Sequence, residues 1–217
     1  SSANHRIAGL SYFTGSIVLI EGVAMIHLVI GGARSGKSSF AEQLVQEIVA
    51  KENKTPVYVA TGVAVDEEMT DRISRHQLQR AQASHSMNVP WHLIESPLHI
   101  AKECQAFEEH HVVLIDCLSL WLNNHLQNIM GNEVDDDDVD NYLISEKEKL
   151  VNAIAGMRCD LIVVSNEVGL GVVPLGKETR WFVDHLGWLN QAIANAADNV
   201  TSMIAGLPLS LKRSNSE

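Results

Sequence analysis

With 217 residues, 46% hydrophobic and 20% charged, the chain has the size and make-up of one folded globular domain. A formal net charge of −11 excludes broad electrostatic attraction to nucleic acid or anionic lipid, so any anion site has to be local. Three widely spaced cysteines, Cys104, Cys117 and Cys159, exclude a disulfide framework and a cysteine zinc site, and they suit a reducing cytoplasm.

Residues 1–24 contain GSIVLIEGVA, which is interrupted by Glu21 and shorter than the ~20 apolar residues of a membrane span. Arg6 is the only strong charge available to a signal-peptide n-region. Met25 directly precedes a strand pattern and is the expected natural start. Residues 1–24 are then an upstream extension outside the core fold, and 25–217 a single domain.

From Met25 onward, apolar runs and helix-length segments alternate. MIHLVI (25–30), VYVAT (57–61), VVLIDC (112–117), LIVVSNE (161–167) and VTSMIAG (200–206) predict buried strands. Short β-branched runs without polar alternation suit a parallel sheet covered on both faces. Phe40, Leu44 and Ile48 predict a helix after the first strand. Leu143, Leu150 and Ile154 predict one before the fourth, and Trp181, Leu186, Leu189 and Ile193 one before the fifth. NKTP (53–56) begins like a guanine-specificity motif, but it ends in proline and precedes a strand, so it reads as a loop. The acidic run EVDDDDVDN (133–141) reads as a solvated loop leading into a helix N-terminus, where negative charge is favourable. Cys117 and Cys159, in or near apolar runs, are expected as buried thiols. The fold class is α/β with an open, mostly parallel sheet and helices on both faces. Ligands are expected beyond the carboxyl ends of the strands, where Thr61, Asp116, Asn166 and Glu167 gather.

The first strand runs into Gly31-Gly32-Ala33-Arg34-Ser35-Gly36-Lys37-Ser38, a complete P-loop pattern followed by a helical stripe. Glycines let backbone N–H groups turn toward phosphate oxygens, and the helix N-terminus adds partial positive charge. Lys37 would reach the β and γ phosphates, and the Ser38 hydroxyl would ligate Mg2+. Asp116, after the apolar VVLI, has the Walker B arrangement and would stand near that ion.

Residues 66–80, DEEMTDRISRHQLQR, hold no proline or glycine and read as a helix with Met69, Arg72, Ile73 and His76 on one face. By spacing alone, His76 reads as an ordinary helix histidine. Taken in order, GGARSGKS, VYVATG, this helix, WHLIE, VVLIDCLSLWLNN, VVSNEVGLGVVP, RWFVDHLGWLNQAIANAADNV and AGLPLSLK resemble the bifunctional adenosylcobinamide kinase / adenosylcobinamide-phosphate guanylyltransferase family of cobalamin biosynthesis. The resemblance spans nearly all of 25–212.

The resemblance implies a P-loop NTPase with a RecA-like sheet, commonly assembled as a trimer. It implies phosphorylation of adenosylcobinamide by ATP or GTP, then transfer of GMP from GTP to the resulting phosphate, giving adenosylcobinamide-GDP. His76 aligns with the histidine that carries GMP, which makes it the catalytic nucleophile. Nucleotide contacts carried over in the same way fall on Gly31 through Ser38, on Ala60, Thr61 and Gly62, on Gln77, Leu78, Gln79 and Arg80, and on Glu95 and Asp116. The segment RAQASHSMNVPW (80–91) departs from the family's R-P-x-x-W. The expected partners are adenosylcobinamide, its phosphate, GTP and ATP, with no nucleic acid and no membrane span. Two other readings share the P-loop: a small-molecule kinase in which His76 is structural, and a nucleotide-dependent switch module.

Overall fold

The computed structural model describes residues 11–13, 16–18, 24–63, 89–130, 135–172 and 174–214. Strands β1 (Ser11–Phe13) and β2 (Ser16–Val18) pair antiparallel in a two-stranded sheet of their own.

The main sheet comprises β3 (Ile26–Gly31), β4 (Thr55–Ala60), β5 (His92–Glu95), β6 (His111–Asp116), β7 (Asp160–Asn166), β8 (Asn199–Ile204) and β9 (Leu207–Lys212). Their spatial order is β5-β4-β6-β7-β3-β8-β9. Every neighbouring pair is parallel except β8 and β9. The helices are α1 (Lys37–Glu52), the single turn α2 (Ile100–Glu103), α3 (Leu118–Met130), α4 (Asp136–Ala155) and α5 (Lys177–Ala196).

The continuous apolar runs are explained by burial on both faces. Val29, Val112, Leu114, Ile162 and Val164 point to one face, where Ala41, Leu44, Val45 and Ile48 of α1 cover them. Leu28, Val113, Ile115, Leu161 and Val163 alternate to the other, under Leu122 of α3, Leu143 and Leu150 of α4, and Leu186 and Leu189 of α5. Cys104, Cys117 and Cys159 are all buried thiols. Helix α4 starts inside the acidic run: the Asp135 side chain accepts from the Asp138 N–H at 2.9 Å and caps it, and Asp136, Asp137 and Asp138 lie in its first turn.

Two local readings are corrected. The Asn53–Pro56 stretch is not simply a loop: Asn53 ends α1 in a left-handed conformation, and Thr55 and Pro56 already belong to β4. The fifth expected strand stops at Ile204, because Ala205 (φ 52°) and Gly206 (φ 81°) form the two-residue turn of a β8–β9 hairpin. Edge strands β5 and β9 and helix α3 join the elements read from apolar runs. Lys212, the last residue of β9, donates from Nζ to the carbonyls of Ala194 at 2.9 Å and Ala197 at 2.6 Å, tying the edge to the C-terminus of α5.

Candidate active site

The P-loop leaves β3 at Gly31 and enters α1 at Lys37. Gly31 has φ +152°, and a Cβ there would stand 2.5 Å from the Met203 carbonyl oxygen and 2.8 Å from Ser35 Oγ. No side chain fits. Gly36, at φ +93°, turns the chain left-handed immediately before the helix, and its carbonyl accepts from the Phe40 N–H at 3.0 Å. The β8–β9 turn braces the loop from beneath, with the Gly206 N–H donating to the Ser35 carbonyl at 3.1 Å.

Gly32, Ala33 and Arg34 are exposed, whereas Ser35 and Lys37 are buried. Lys37 Nζ donates to the Gly32 carbonyl at 2.5 Å, so its ammonium folds back over the loop. Ser35 Oγ is buried within the loop without a hydrogen-bond partner. The result is a backbone cradle with a cation across it, at the positive end of a 16-residue helix, which is the arrangement that receives a polyphosphate.

On β6, Asp116 alternates with Val112 and Leu114, which face α1, so its carboxylate emerges on the P-loop helix's side of the sheet. The Tyr58 hydroxyl donates to Asp116 Oδ2 at 2.9 Å. Beside it, the fully buried Thr61 straps β4 to β6. Its N–H donates to the Asp116 carbonyl at 3.2 Å, and its hydroxyl donates to the Cys117 carbonyl at 2.8 Å and accepts from the Cys117 N–H at 2.7 Å. Burial pushes the Cys117 thiol up to about 11, with the Asp116 charge adding to the rise.

Strand β7 lies between β3 and β6. Its end is held from three sides. The Glu167 N–H donates to the Gly31 carbonyl at 3.0 Å, Asn166 Nδ2 donates to Ser119 Oγ at 2.9 Å, and Asn190 Nδ2 on α5 donates to the Asn166 carbonyl at 3.0 Å. Asn190 Oδ1 in turn accepts from the Ser165 hydroxyl at 2.6 Å. The sequence marked Asn166 and Glu167 as strand-end residues facing the same cleft with their role open, and their insertion between the P-loop and Asp116 is visible only in the strand order.

The expected site residues therefore divide. Gly31 through Ser38 form the cradle, and Asp116 stands two strand positions away, about 10 Å across the sheet. Ala60, Thr61 and Gly62 lie one position further, at the end of β4. Glu95 is exposed at the end of edge strand β5, four positions or about 19 Å from the P-loop strand, so it cannot share the phosphate cradle. His76 and Gln77, Leu78, Gln79 and Arg80 lie outside the described residues.

A complete P-loop between a buried parallel strand and its helix, with a strand-end carboxylate on the same face, defines an α/β protein of the P-loop NTPase fold. The family model for cobinamide kinase / cobinamide phosphate guanyltransferase matches residues 27–211, and the chain belongs to that family. It is 41% identical over 189 residues to the bifunctional adenosylcobalamin biosynthesis protein CobP of Pseudomonas aeruginosa, covering 87% of this chain and 98% of that protein. It is 32% identical to the bifunctional adenosylcobalamin biosynthesis protein CobU of Escherichia coli and 33% identical to that of Salmonella typhimurium, in each case over 87% of this chain and the whole of the relative.

Proposed function

We propose that this chain phosphorylates adenosylcobinamide with ATP or GTP and then transfers GMP from GTP to the new phosphate, giving adenosylcobinamide-GDP. The observation that carries the reading is the Gly31–Ser38 cradle, with Lys37 across it and an unpartnered Ser35 hydroxyl inside, in a chain whose relatives are named bifunctional adenosylcobalamin biosynthesis proteins. Lys37 and the loop N–H groups bind the triphosphate and stabilise charge on the departing group. His76 is the nucleophile of the second reaction. A neutral imidazole nitrogen attacks the α-phosphorus of GTP, pyrophosphate leaves, and the GMP held on His76 passes to the corrinoid phosphate. Two steps spare the enzyme from holding GTP and a bulky corrinoid phosphate in line together. Gln77 through Arg80 and Glu95 serve this nucleotide, and the separation of Glu95 from the P-loop fits a GMP position distinct from the kinase cradle.

Asp116 and Ser38 offer hard oxygen donors, which suit a Mg2+ that arrives with phosphate oxygens of its own. When bound, the ion supplies charge neutralisation at those oxygens. Among the described residues no cluster of three His, Cys, Asp or Glu side chains could hold a metal, and no helix is long and apolar enough to cross a membrane. The reading includes a single domain over 25–217 with 1–24 outside it, a cytoplasmic location and a trimer.

The test is incubation with GTP labelled at the α-phosphorus, then denaturation. Acid-labile, base-stable label on the protein, absent from His76→Ala, is expected. An unlabelled wild type that still phosphorylates adenosylcobinamide would reduce the function to a kinase. A wild type that does neither would sink the reading.

A further inference from the structure

Among the described residues, three carboxylates stand at the carboxyl ends of the parallel strands: Glu95 ends β5, Asp116 ends β6 and Glu167 follows β7. Phosphorylating a hydroxyl needs a group that receives the hydroxyl's proton. Glu95 is about 19 Å from the P-loop strand. Asp116, which accepts from the Tyr58 hydroxyl, is the carboxylate assigned above to the Mg2+. Glu167 differs from both.

On the function proposed above, the γ-phosphoryl group lies between Lys37, at the start of α1, and Asp116, at the end of β6. The strand between those two is β7, so the transferred group sits over its end, where Glu167 emerges. The sheet register places Asn166 opposite Gly31, and the Glu167 N–H donates to the Gly31 carbonyl at 3.0 Å. The half-buried Glu167 side chain is also positioned. Oε1 accepts from the Gly169 N–H at 2.7 Å, and a Cβ on Gly169 would come within 3.1 Å of that same oxygen, a tight contact. One carboxylate oxygen is held and the strand beneath it is clamped by Asn190 and Ser119. A carboxylate on a clamped strand end, with one oxygen held and the other open, suits a proton acceptor.

We propose that Glu167 is a catalytic residue of the phosphorylation reaction, taking the proton of the acceptor hydroxyl. The inference rests on the kinase activity proposed above. The acceptor O–H bond breaks and its proton passes to a Glu167 carboxylate oxygen. The acceptor oxygen forms the new bond to the γ-phosphorus. The bond from that phosphorus to the β–γ bridging oxygen breaks, its electron pair leaving on the nucleoside diphosphate, and Glu167 then yields the proton to water. The second reaction has a phosphate oxyanion as acceptor, which carries no hydroxyl proton to remove. Glu167 therefore separates the two activities.

The experiment compares wild type with Glu167→Gln and Glu167→Asp, measuring adenosylcobinamide phosphorylation and, separately, GMP transfer to purified adenosylcobinamide phosphate. For Glu167→Gln, kcat for phosphorylation is expected to fall about 10²- to 10³-fold, the usual share of a positioned base. The KM for the triphosphate and the Mg2+ concentration for half-activity stay within about twofold, the acidic limb of the pH–kcat profile disappears, and GMP transfer falls by less than about threefold. Glu167→Asp, keeping the carboxylate, restores part of the lost rate and the acidic limb. A Gln variant that phosphorylates at the wild-type rate overturns the proposal. So does one that melts like wild type yet loses both activities, or one rescued by excess Mg2+, since Glu167 then serves the nucleotide or its metal. Should Glu167→Gln melt well below wild type, the Asp variant decides alone: a loss confined to phosphorylation supports a base at 167, and equal loss of phosphorylation and GMP transfer, or no loss of either, counts against it. A wild type that binds triphosphate but phosphorylates nothing fails the underlying reading instead.

Discussion

The N–H of Glu167 donates to the carbonyl oxygen of Gly31 at 3.0 Å, joining the end of β7 to the first glycine of the phosphate loop. Because β7 is also clamped to α3 through Asn166–Ser119 and to α5 through Asn190, the cradle is braced by elements far from it in sequence. The loop is therefore part of a rigid floor.

Gly31→Ala tests that floor. The new Cβ collides with backbone at Met203 and lies in an unfavourable φ region, and backbone cannot yield as a flexible side chain would. The variant is expected to lose about 2–4 kcal/mol of stability, a fall of roughly 8 °C in Tm, together with triphosphate binding. Thermal melts with and without nucleotide check both.

Lys37→Met keeps the length of the side chain and removes the ammonium. Gly32, whose carbonyl loses its donor, is exposed and can turn to water, so the melting temperature stays within about 3 °C. Phosphorylation is expected to fall about 10²- to 10³-fold, measured by steady-state assay at saturating acceptor.

Asn190→Leu removes the donor to Asn166 and the acceptor of Ser165 in a buried site. Two stranded polar groups cost about 2–3 kcal/mol, readable in urea unfolding. The kcat for phosphorylation is expected to fall more than the KM for triphosphate rises, because the strand end released by the substitution carries Glu167, the proposed base.

His27 lies on β3, fully buried, with Nε2 2.8 Å from the Thr201 hydroxyl. Burial pushes its imidazole down to about 3. Above pH 6.5 the ring is neutral in both folded and unfolded chains. As pH falls from 6.5 toward 3, only the unfolded chain takes up the proton, so stability falls, by on the order of 4 kcal/mol across the window. His27→Gln is expected to flatten that part of the stability–pH curve, measured by denaturant titration at pH 7, 5 and 4.

Local physical chemistry was legible wherever a run was buried on both faces or required a glycine. The strand cores, the P-loop and the α1 stripe carry their signals in consecutive residues. Strands β5 and β9 do not, because edge strands such as LPLSLK bury little and leave Leu207 and Leu209 exposed, so no apolar run marks them. Helix α3 starts at Leu118, two residues after Asp116, so in the sequence its first turn runs on from the strand-end motif.

By itself the sequence determined the phosphate loop, the α/β class and the family, because each is written in contiguous residues whose spacing has one physical use. The tertiary structure alone decided which strand lies between the P-loop and Asp116. Strand order is set by how long crossovers pack on the two faces, and nothing local in β7 records its neighbours. That order sets Glu167 beside Gly31 and Glu95 far from it, turning two similar strand-end acids into residues with different possible chemistry.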